Sequence, residues 1–426
     1  MALQEHLALH GPAPVLRTGA RGRRVEQAEG LIEELAAAGL LGRGGAAFPT
    51  ATKMRAVAGA RGRAIVLANG AEGEPASLKD HTLLELLPHL VLDGAALAAE
   101  AVGAREVVIG ACQFAGASLE RVAVAIEERE AHLAGARGAP RMRLVMVPGH
   151  YVAGQESALI NYLGGGQAKP TFTPPLPSEA GLGGRPTLVN NVETLAHVAL
   201  IARHGASWFR ELGTPSQPGS TLVTLSGPVA HPGVYEIEQG ASLASLIHAA
   251  GGATARLRGA LLGGYAGSWI GVEQLHGVAL SDEHLAVHGA TLGAGVVLLL
   301  SELACPVAET VRVARWLADQ STRQCGPCSH GLDALAETIA GLAGGAGDRQ
   351  APLRAQRLAA LTARRGACGH PDGAVNLLLS SLDTFDAEFA DHARHGPCEG
   401  CAREPELPLP HRPVSEDTQP RRRVRV

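Results

Sequence analysis

The stretch "RAIVLANG", residues 63–70, is an apolar run closed by Asn-Gly. A run of that length reads as a buried strand, and Asn-Gly ends it in a loop. Outward from it the pattern repeats. Residues 80–103 are helical in pattern and "EVVIGAC" (106–112) is strand-like. "SLERVAVAIEEREAHL" (118–133) is an amphipathic helix, and "RLVMVPG" (143–149) is another strand. Strands and helices alternating at these lengths predict an α/β fold on a mostly parallel sheet covered on both faces. Ligands of such sheets gather where strand C-terminal ends meet loops, which directs attention to the loop opened by Asn69. A short helix over 25–38 precedes this unit, and the Gly- and Pro-dense segment 164–190 reads as a structured loop.

From about residue 218 the character changes. "STLVTLSGPVAHPGVYEI" (220–237) has β-rich runs around a turn at His231-Pro232-Gly233, followed by the helical "ASLASLIHAAGG" (241–252). These predict a small α+β module. From Cys305 to about residue 392 the pattern is helical, clearest in "PVAETVRVARWLADQ" and "LLLSSLDTFDAEFADHA". The tail from Glu404, rich in Pro and ending "RRRVRV", has the composition of a disordered segment.

Of the 426 residues 46% are apolar and 18% charged, and the net charge is −4. That balance provides no field to attract nucleic acid or an anionic membrane. No apolar run approaches the ~20 residues a membrane span needs. The N-terminus "MALQEHLALHGPAP" lacks a basic region followed by an apolar core, so no signal peptide is expected and the cytoplasm is the expected location. Seven cysteines, odd in number and unevenly scattered, do not form a disulfide framework. Clustered cysteines in a reducing compartment suggest metal or redox chemistry.

Four stretches carry chemistry. "GRGGAAFPTATK" (42–53) sets Gly42, Gly44 and Gly45 around Arg43, with Lys53 downstream. Glycines let several N–H groups approach a phosphate, and the two cations add charge, although a tight turn before a helix uses glycines in the same way. In "NGAEGEPASLKD" (69–80), Asn69, Glu72 and Glu74 can hydrogen-bond ribose hydroxyls or a carboxamide. A solvated acidic turn would have the same composition. The others are "GHYVAGQESALINYLGG" (149–165) and "RPTLVNNVETL" (185–195), with Asn190 and Asn191 paired.

In order, "GLLGRGGAAFPTATK", "NGAEGEP", "YVAGQESAL", "GRPTLVNNVETL", "SGPVAHPGVYE", "CGPCSHG" and "ACGHPDGAV" resemble the NADH-binding, FMN-containing flavoprotein subunit of respiratory complex I. Related flavoprotein subunits occur in NAD-reducing hydrogenases and formate dehydrogenases. The resemblance spans roughly residues 35–385. It implies an N-terminal extension over 1–34, a Rossmann-like FMN- and NADH-binding domain over 35–210 and a ubiquitin-like SLBB domain over 218–300. An iron–sulfur helical bundle over 305–392 and a CxxC segment with a disordered basic tail over 393–426 complete the expected organisation. By the same resemblance the FMN site falls on Gly42, Arg43, Gly44, Lys53, Asn69, Glu72, Asn190 and Asn191. The NADH site falls on Phe48, which would stack on the adenine, and on Glu74 and Glu156, which would position the nicotinamide. Hydride would pass to the flavin without a protein acid or base.

The sequence departs from the family pattern in several places. Ala71 replaces an aspartate, Gln155 the first of two adjacent glutamates, Leu176 a phenylalanine that clasps the adenine, and Ala56 another aromatic. In the cluster motif Thr322 stands at the first of three cysteine positions, while Cys325, Cys328 and Cys368 match the other ligands. Iron in clusters takes soft thiolates, normally four for [4Fe–4S]. Open outcomes are a [4Fe–4S] cluster with a non-cysteine ligand, a [3Fe–4S] cluster, a fourth ligand from Cys398 or Cys401, or a zinc site of Cys325, Cys328, Cys398 and Cys401. Free thiols or a disulfide are the remaining reading. Cys112 and Cys305 read as buried structural residues. His330 and His370 lie near the cysteines as possible ligands, an ordinary hydrogen-bonded or exposed role being the simpler one.

The expected function is electron entry: NADH oxidised through FMN, with single electrons leaving through the cluster to a thioredoxin-like [2Fe–2S] subunit or a ferredoxin-like acceptor. Two alternatives are a flavoprotein relay between ferredoxin-like partners that no longer uses NADH, and a non-catalytic scaffold with a four-cysteine zinc site. The retained set around Arg43, Lys53 and the three asparagines weighs against the scaffold.

Overall fold

β1 (Ile65–Gly70) is an inner strand of the first sheet, and Ile65, Val66, Leu67 and Ala68 are each buried. Successive strand residues face opposite sides, so an unbroken buried run means cover on both faces. A computed structural model of the protein describes residues 1–12, 21–133, 138–344 and 348–410. The described chain divides into two units: Met1–Gly73 with Leu78–Thr221, and Glu74–Ser77 with the residues from Leu222 onward.

In the first unit β1 pairs in parallel with β2 (Glu106–Cys112) and with β4 (Thr187–Asn191), and β2 pairs in parallel with β3 (Arg141–Val147). The order is β3-β2-β1-β4. β4 completes the sheet inside a stretch whose sequence shows a paired-asparagine motif and no strand pattern. The helix expected over 80–103 is two helices, Lys79–Leu86 and Pro88–Ala101, bent by 95°. Pro88 supplies no N–H to the preceding turn, so it starts a new helix instead of continuing the old one. The helix Pro88–Ala101 is buried on nearly every side against the helix Val192–Phe209. Their crossing depends on Gly94, where an added Cβ would lie 1.7 Å from the Leu195 carbonyl oxygen. Asp93, 1% exposed, is held by His6 at 2.9 Å and by Arg129 and Arg203. Among the described residues no single helix is long and apolar enough to cross a membrane.

The second unit holds a five-stranded mixed sheet: β5 (Ser220–Ser226), β6 (Gly233–Glu238), β7 (Leu257–Leu262), β8 (Ser268–Gly271) and β9 (Val296–Ser301). The order is β6-β5-β9-β7-β8, with β5 and β9 parallel and β7 antiparallel to both its neighbours. Numbered within the module this is 2-1-5-3-4, the ubiquitin-like arrangement expected. Val223, Leu225, Leu262, Val297 and Leu299 pack with Leu243 and Leu246 of the helix Leu243–Ala249. Among the described residues the helices Pro306–Asp319, Leu332–Gly344, Ala351–Thr362, His370–Thr384 and Asp386–His395 follow.

The expected disorder from Glu404 does not extend to residues 404–410. Glu406 N–H donates to Glu309 at 2.7 Å, and its carboxylate accepts from Ser301 N–H at 2.9 Å. Leu407 is 2% exposed, and the Tyr265 hydroxyl donates to the Pro408 carbonyl at 2.6 Å. Long-range hydrogen bonds and one buried leucine hold a segment whose composition alone signals disorder. The basic end "RRRVRV" lies outside the described residues.

Candidate functional site

The order β3-β2-β1-β4 reverses direction at β1: the chain runs through β2 and β3 on one side, then returns with β4 on the other. A parallel sheet opens a ligand crevice at such a switch point, outside the strand C-terminal ends. Three asparagines lie there. Asn69 is opposite Asn191 in register, and Asn190 is opposite Ala68.

Two loops close on this point with little room for side chains. An added Cβ at Gly73 would lie 2.5 Å from the Tyr151 carbonyl oxygen, and one at Gly154 would lie 2.4 Å from that of Ala71. Only glycine permits so close an approach of backbone to backbone. Asn69 secures it: its Nδ2 donates to the Gly154 carbonyl at 2.8 Å and its Oδ1 accepts from Ala71 N–H. In the glycine-rich loop Gly42 N–H donates to the Phe48 carbonyl at 2.9 Å, and Gly44 lies against Asn191. Arg43 donates through its backbone N–H to Thr194 Oγ1 and through Nη2 to the carbonyls of Pro218 and Ser220. It thus fastens the loop from behind.

Lys53 Nζ donates to the Val189 carbonyl at 3.0 Å and lies 3.4 Å from Glu156 Oε1, both side chains partly exposed. Glu156 opens the helix Glu156–Leu163, and Gln155 caps it by accepting from Ala158 N–H at 2.9 Å. The glutamine thus does the work of an N-cap without a charge. Glu72 accepts from the backbone N–H groups of Asp80 and His81 at the start of the helix Lys79–Leu86. Asn191 caps the helix Val192–Phe209 through Glu193 N–H and donates to Asp80 at 2.6 Å. Phe48 is 50% exposed and Leu176 53%, while Ala56 is exposed. Glu74 lies in the second unit, buried, accepting from Ala76 N–H and from Tyr265 N–H at 2.8 Å.

Behind Asn191 is a buried charge cluster that reading the sequence did not reveal. Lys79 Nζ lies 2.6 Å from Asp80 and 2.9 Å from Glu193, all three side chains at most 7% exposed. Burial opposes the Lys79 charge, but Asp80, Glu193 and Glu72 outweigh it and hold its pKa above the ordinary value. Glu193 is likewise opposed by burial and held low by Lys79 and His197. Burial, reinforced by Glu72, pushes Asp80 up to about 7 despite Lys79. The available signal was that Lys79 is one of three lysines in the chain and lies inside the second motif.

Among the cysteines, Cys328 is 2% exposed on a wide helical turn, Pro327–Gly331. Burial, reinforced by the neighbouring Cys325 and Cys368, pushes its thiol up to about 11. His370 is engaged through Nε2 with the Leu317 carbonyl at 2.8 Å, and His330 is exposed. Cys398 and Cys401 do not join this group. Cys401 Sγ lies 3.5 Å from Cys305 Sγ and 3.4 Å from His392 Nε2. The zinc set of Cys325, Cys328, Cys398 and Cys401 is therefore corrected, as is a fourth cluster ligand from Cys398 or Cys401. Cys305 is no isolated core residue either. The short turn after residue 395 folds this CxxC back onto Cys305, across a separation that spacing does not reveal.

Residues 35–200 match the family model described as the Nuo51 FMN-binding domain. Residues 308–392 match the NADH-ubiquinone oxidoreductase-F iron-sulfur binding region, and 222–263 the SLBB domain. The chain is 33% identical over 380 residues to an F-type NADH-quinone oxidoreductase subunit, the second of that type in Rhizobium meliloti, covering 86% of this chain and 90% of that one. It belongs to the F-type subunit family of NADH-quinone oxidoreductases.

A further relative is HndC, an NADP-reducing hydrogenase subunit of Solidesulfovibrio fructosivorans, 30% identical over 86% of this chain and 77% of that one. A chain in the crystal structure of an NAD+-reducing [NiFe]-hydrogenase in the H2-reduced state matches with a TM-score of 0.82 and 32% identity. That match covers 92% of this chain and 66% of the other.

The residues present fit both groups that the family implies. Asn190 is 6% exposed and its Nδ2 has no hydrogen-bond partner among the described residues, a buried donor at the switch point that suits a flavin. The glycine-lined backbone and the Lys53 ammonium suit its phosphate. Cys325, Cys328 and Cys368 supply three soft donors that suit iron and sulfide. In this F-type chain Cys305, Cys398 and Cys401 all lie outside the iron–sulfur match.

Proposed function

We propose that this chain is the electron-entry flavoprotein of a larger redox enzyme, taking two electrons from NADH and passing them on singly. When bound, FMN accepts the hydride and an iron–sulfur cluster accepts single electrons, which is chemistry no side chain offers. The protein binds and orients. Gly42, Gly44 and Lys53 receive the flavin phosphate, with Arg43 fixing the loop; Asn69, Glu72, Asn190 and Asn191 line the switch point. Phe48 offers an aromatic face to the adenine, and Glu156 orients the nicotinamide. No protein acid or base is assigned to hydride transfer, since positioning suffices. Cys325, Cys328 and Cys368 would hold the cluster as its cysteine ligands.

The observation that carries this reading is the unpaired Asn190 donor at the switch point of a domain matching the FMN-binding family. The partner is a redox protein, a thioredoxin-like [2Fe–2S] subunit or a ferredoxin-like acceptor. The relatives' names, subunits of NADH-quinone oxidoreductases and hydrogenases, support a multi-subunit setting. Clustered cysteines suit a reducing compartment, which supports a cytoplasmic location. NADH-dependent reduction of an artificial acceptor by the flavin-loaded protein, compared with Asn190→Ala, tests the assignment. Activity that falls at least tenfold together with flavin content supports it. Flavin content and activity both unchanged in the variant would remove Asn190 from the site.

A further inference from the structure

Cys305, His392, Cys398 and Cys401 each offer one ligand atom, and the four atoms lie within 4.8 Å of one another. The sulfur of Cys305 is 3.3 Å from His392 Nε2 and 3.5 Å from the sulfur of Cys401. The Cys401 sulfur is 3.4 Å from His392 Nε2 and 4.0 Å from that of Cys398. Zinc bonds of about 2.3 Å to sulfur and about 2.0 Å to nitrogen, arranged tetrahedrally, give edges of about 3.5–3.8 Å. The recorded edges bracket those values. A disulfide would hold its sulfurs at about 2.05 Å, and a multi-iron cluster would spread its thiolates well beyond this tetrahedron.

Three further features serve such a site. His392 Nδ1 lies 2.7 Å from the Glu388 carbonyl, so Nδ1 carries the proton and Nε2 presents its lone pair to the sulfurs. The Cys305 sulfur accepts from Ala308 N–H at the start of the helix Pro306–Asp319, a donor that steadies a thiolate. Between Cys398 and Cys401, Gly400 passes so close to Cys305 that an added Cβ would lie 3.1 Å from the Cys305 Cβ. The Cys-Glu-Gly-Cys turn thus has the small residue that lets both its cysteines reach Cys305.

We propose that Cys305, His392, Cys398 and Cys401 bind one zinc ion in a closed structural site, separate from the iron–sulfur ligands. Four protein ligands leave no open position for a substrate, so the ion clasps and does not catalyse. It ties the start of one helix, the end of another and the turn 398–401 into one point, directly ahead of the packed segment 404–410. Binding releases the three thiol protons and leaves the site with a net charge of −1.

The test is metal analysis of the full-length protein, with X-ray absorption at the zinc edge. The expected result is about one zinc per chain in a shell of three sulfurs and one nitrogen. The double variant Cys325→Ser, Cys328→Ser should lose iron and keep zinc. The double variant Cys398→Ser, Cys401→Ser should lose zinc and keep iron and flavin. Should the second variant fail to fold, the wild-type absorption spectrum decides alone. A shell of four sulfurs, an oxygen-rich shell, or a lone iron in place of zinc overturns the proposal. So does zinc that is absent from protein carrying flavin and iron, or that is lost with Cys325 and Cys328.

Discussion

Lys79 Nζ lies 2.9 Å from the Glu193 carboxylate, with the two side chains 4% and 2% exposed. Asp80 completes the group and is hydrogen-bonded to Asn191, so this buried cation stands directly behind the proposed flavin pocket. Lys79→Met leaves buried carboxylates without their counter-charge, at a cost of about 3–5 kcal/mol. Chemical denaturation should show that loss, and purified Lys79→Met protein should retain less FMN. Wild-type stability and flavin content in the variant would contradict a supporting role for the cluster.

The adenine end of the proposed nucleotide site is sparsely built. Phe48 presents an exposed ring, whereas Leu176 and Ala56, which by the family resemblance stand at aromatic positions, offer none. Leu176→Phe adds a stacking face worth about 0.5–1.5 kcal/mol, which is a KM for NADH about 2–10-fold lower. Because the adenine is remote from the transferred hydride, kcat should stay nearly constant. Steady-state kinetics distinguish this from a change in chemistry, which would move kcat.

By the family resemblance Thr322, three residues before Cys325 and half-buried, stands at the proposed position of a cluster cysteine. Thr322→Cys supplies a fourth thiolate where a hydroxyl is a poor ligand for iron. Iron and sulfide content per chain should rise, and the cluster absorbance should bleach more slowly in air. Unchanged metal content and bleaching would show that residue 322 does not face the cluster.

Asp93 anchors the helix Pro88–Ala101 through His6, Arg129 and Arg203. Burial opposes its charge, but these partners outweigh burial and hold its pKa below the ordinary 3.8. The stability it contributes is therefore complete above about pH 4 and lost as pH falls through the depressed folded value. Asp93→Asn should be less stable at pH 7 by about 3–5 kcal/mol, with a smaller further loss between pH 5 and pH 2 than wild type. Denaturation midpoints across that range check both the size and the sign.

Much of the fold was legible in the sequence, for physical reasons that particular residues show. β1 and β2 were readable because both faces are buried, which makes an unbroken apolar run. β4 was not, because its five residues end in two asparagines, which interrupt the apolar run. The break at Pro88 was available from the proline itself. Contacts distant in sequence were hidden: Cys305 with His392, Lys79 with Glu193, and Glu406 with Ser301 depend on tertiary approach and leave no periodic trace. Pairing the two CxxC motifs failed for the same reason, since spacing identifies a ligand pair but not its partner pair.

The most direct test of electron entry is an anaerobic visible spectrum of the purified full-length protein, recorded before and after one equivalent of NADH. The account predicts a flavin band at ~450 nm that bleaches on addition of NADH. A flavin band that persists under NADH would contradict it and would require electrons to arrive from another donor.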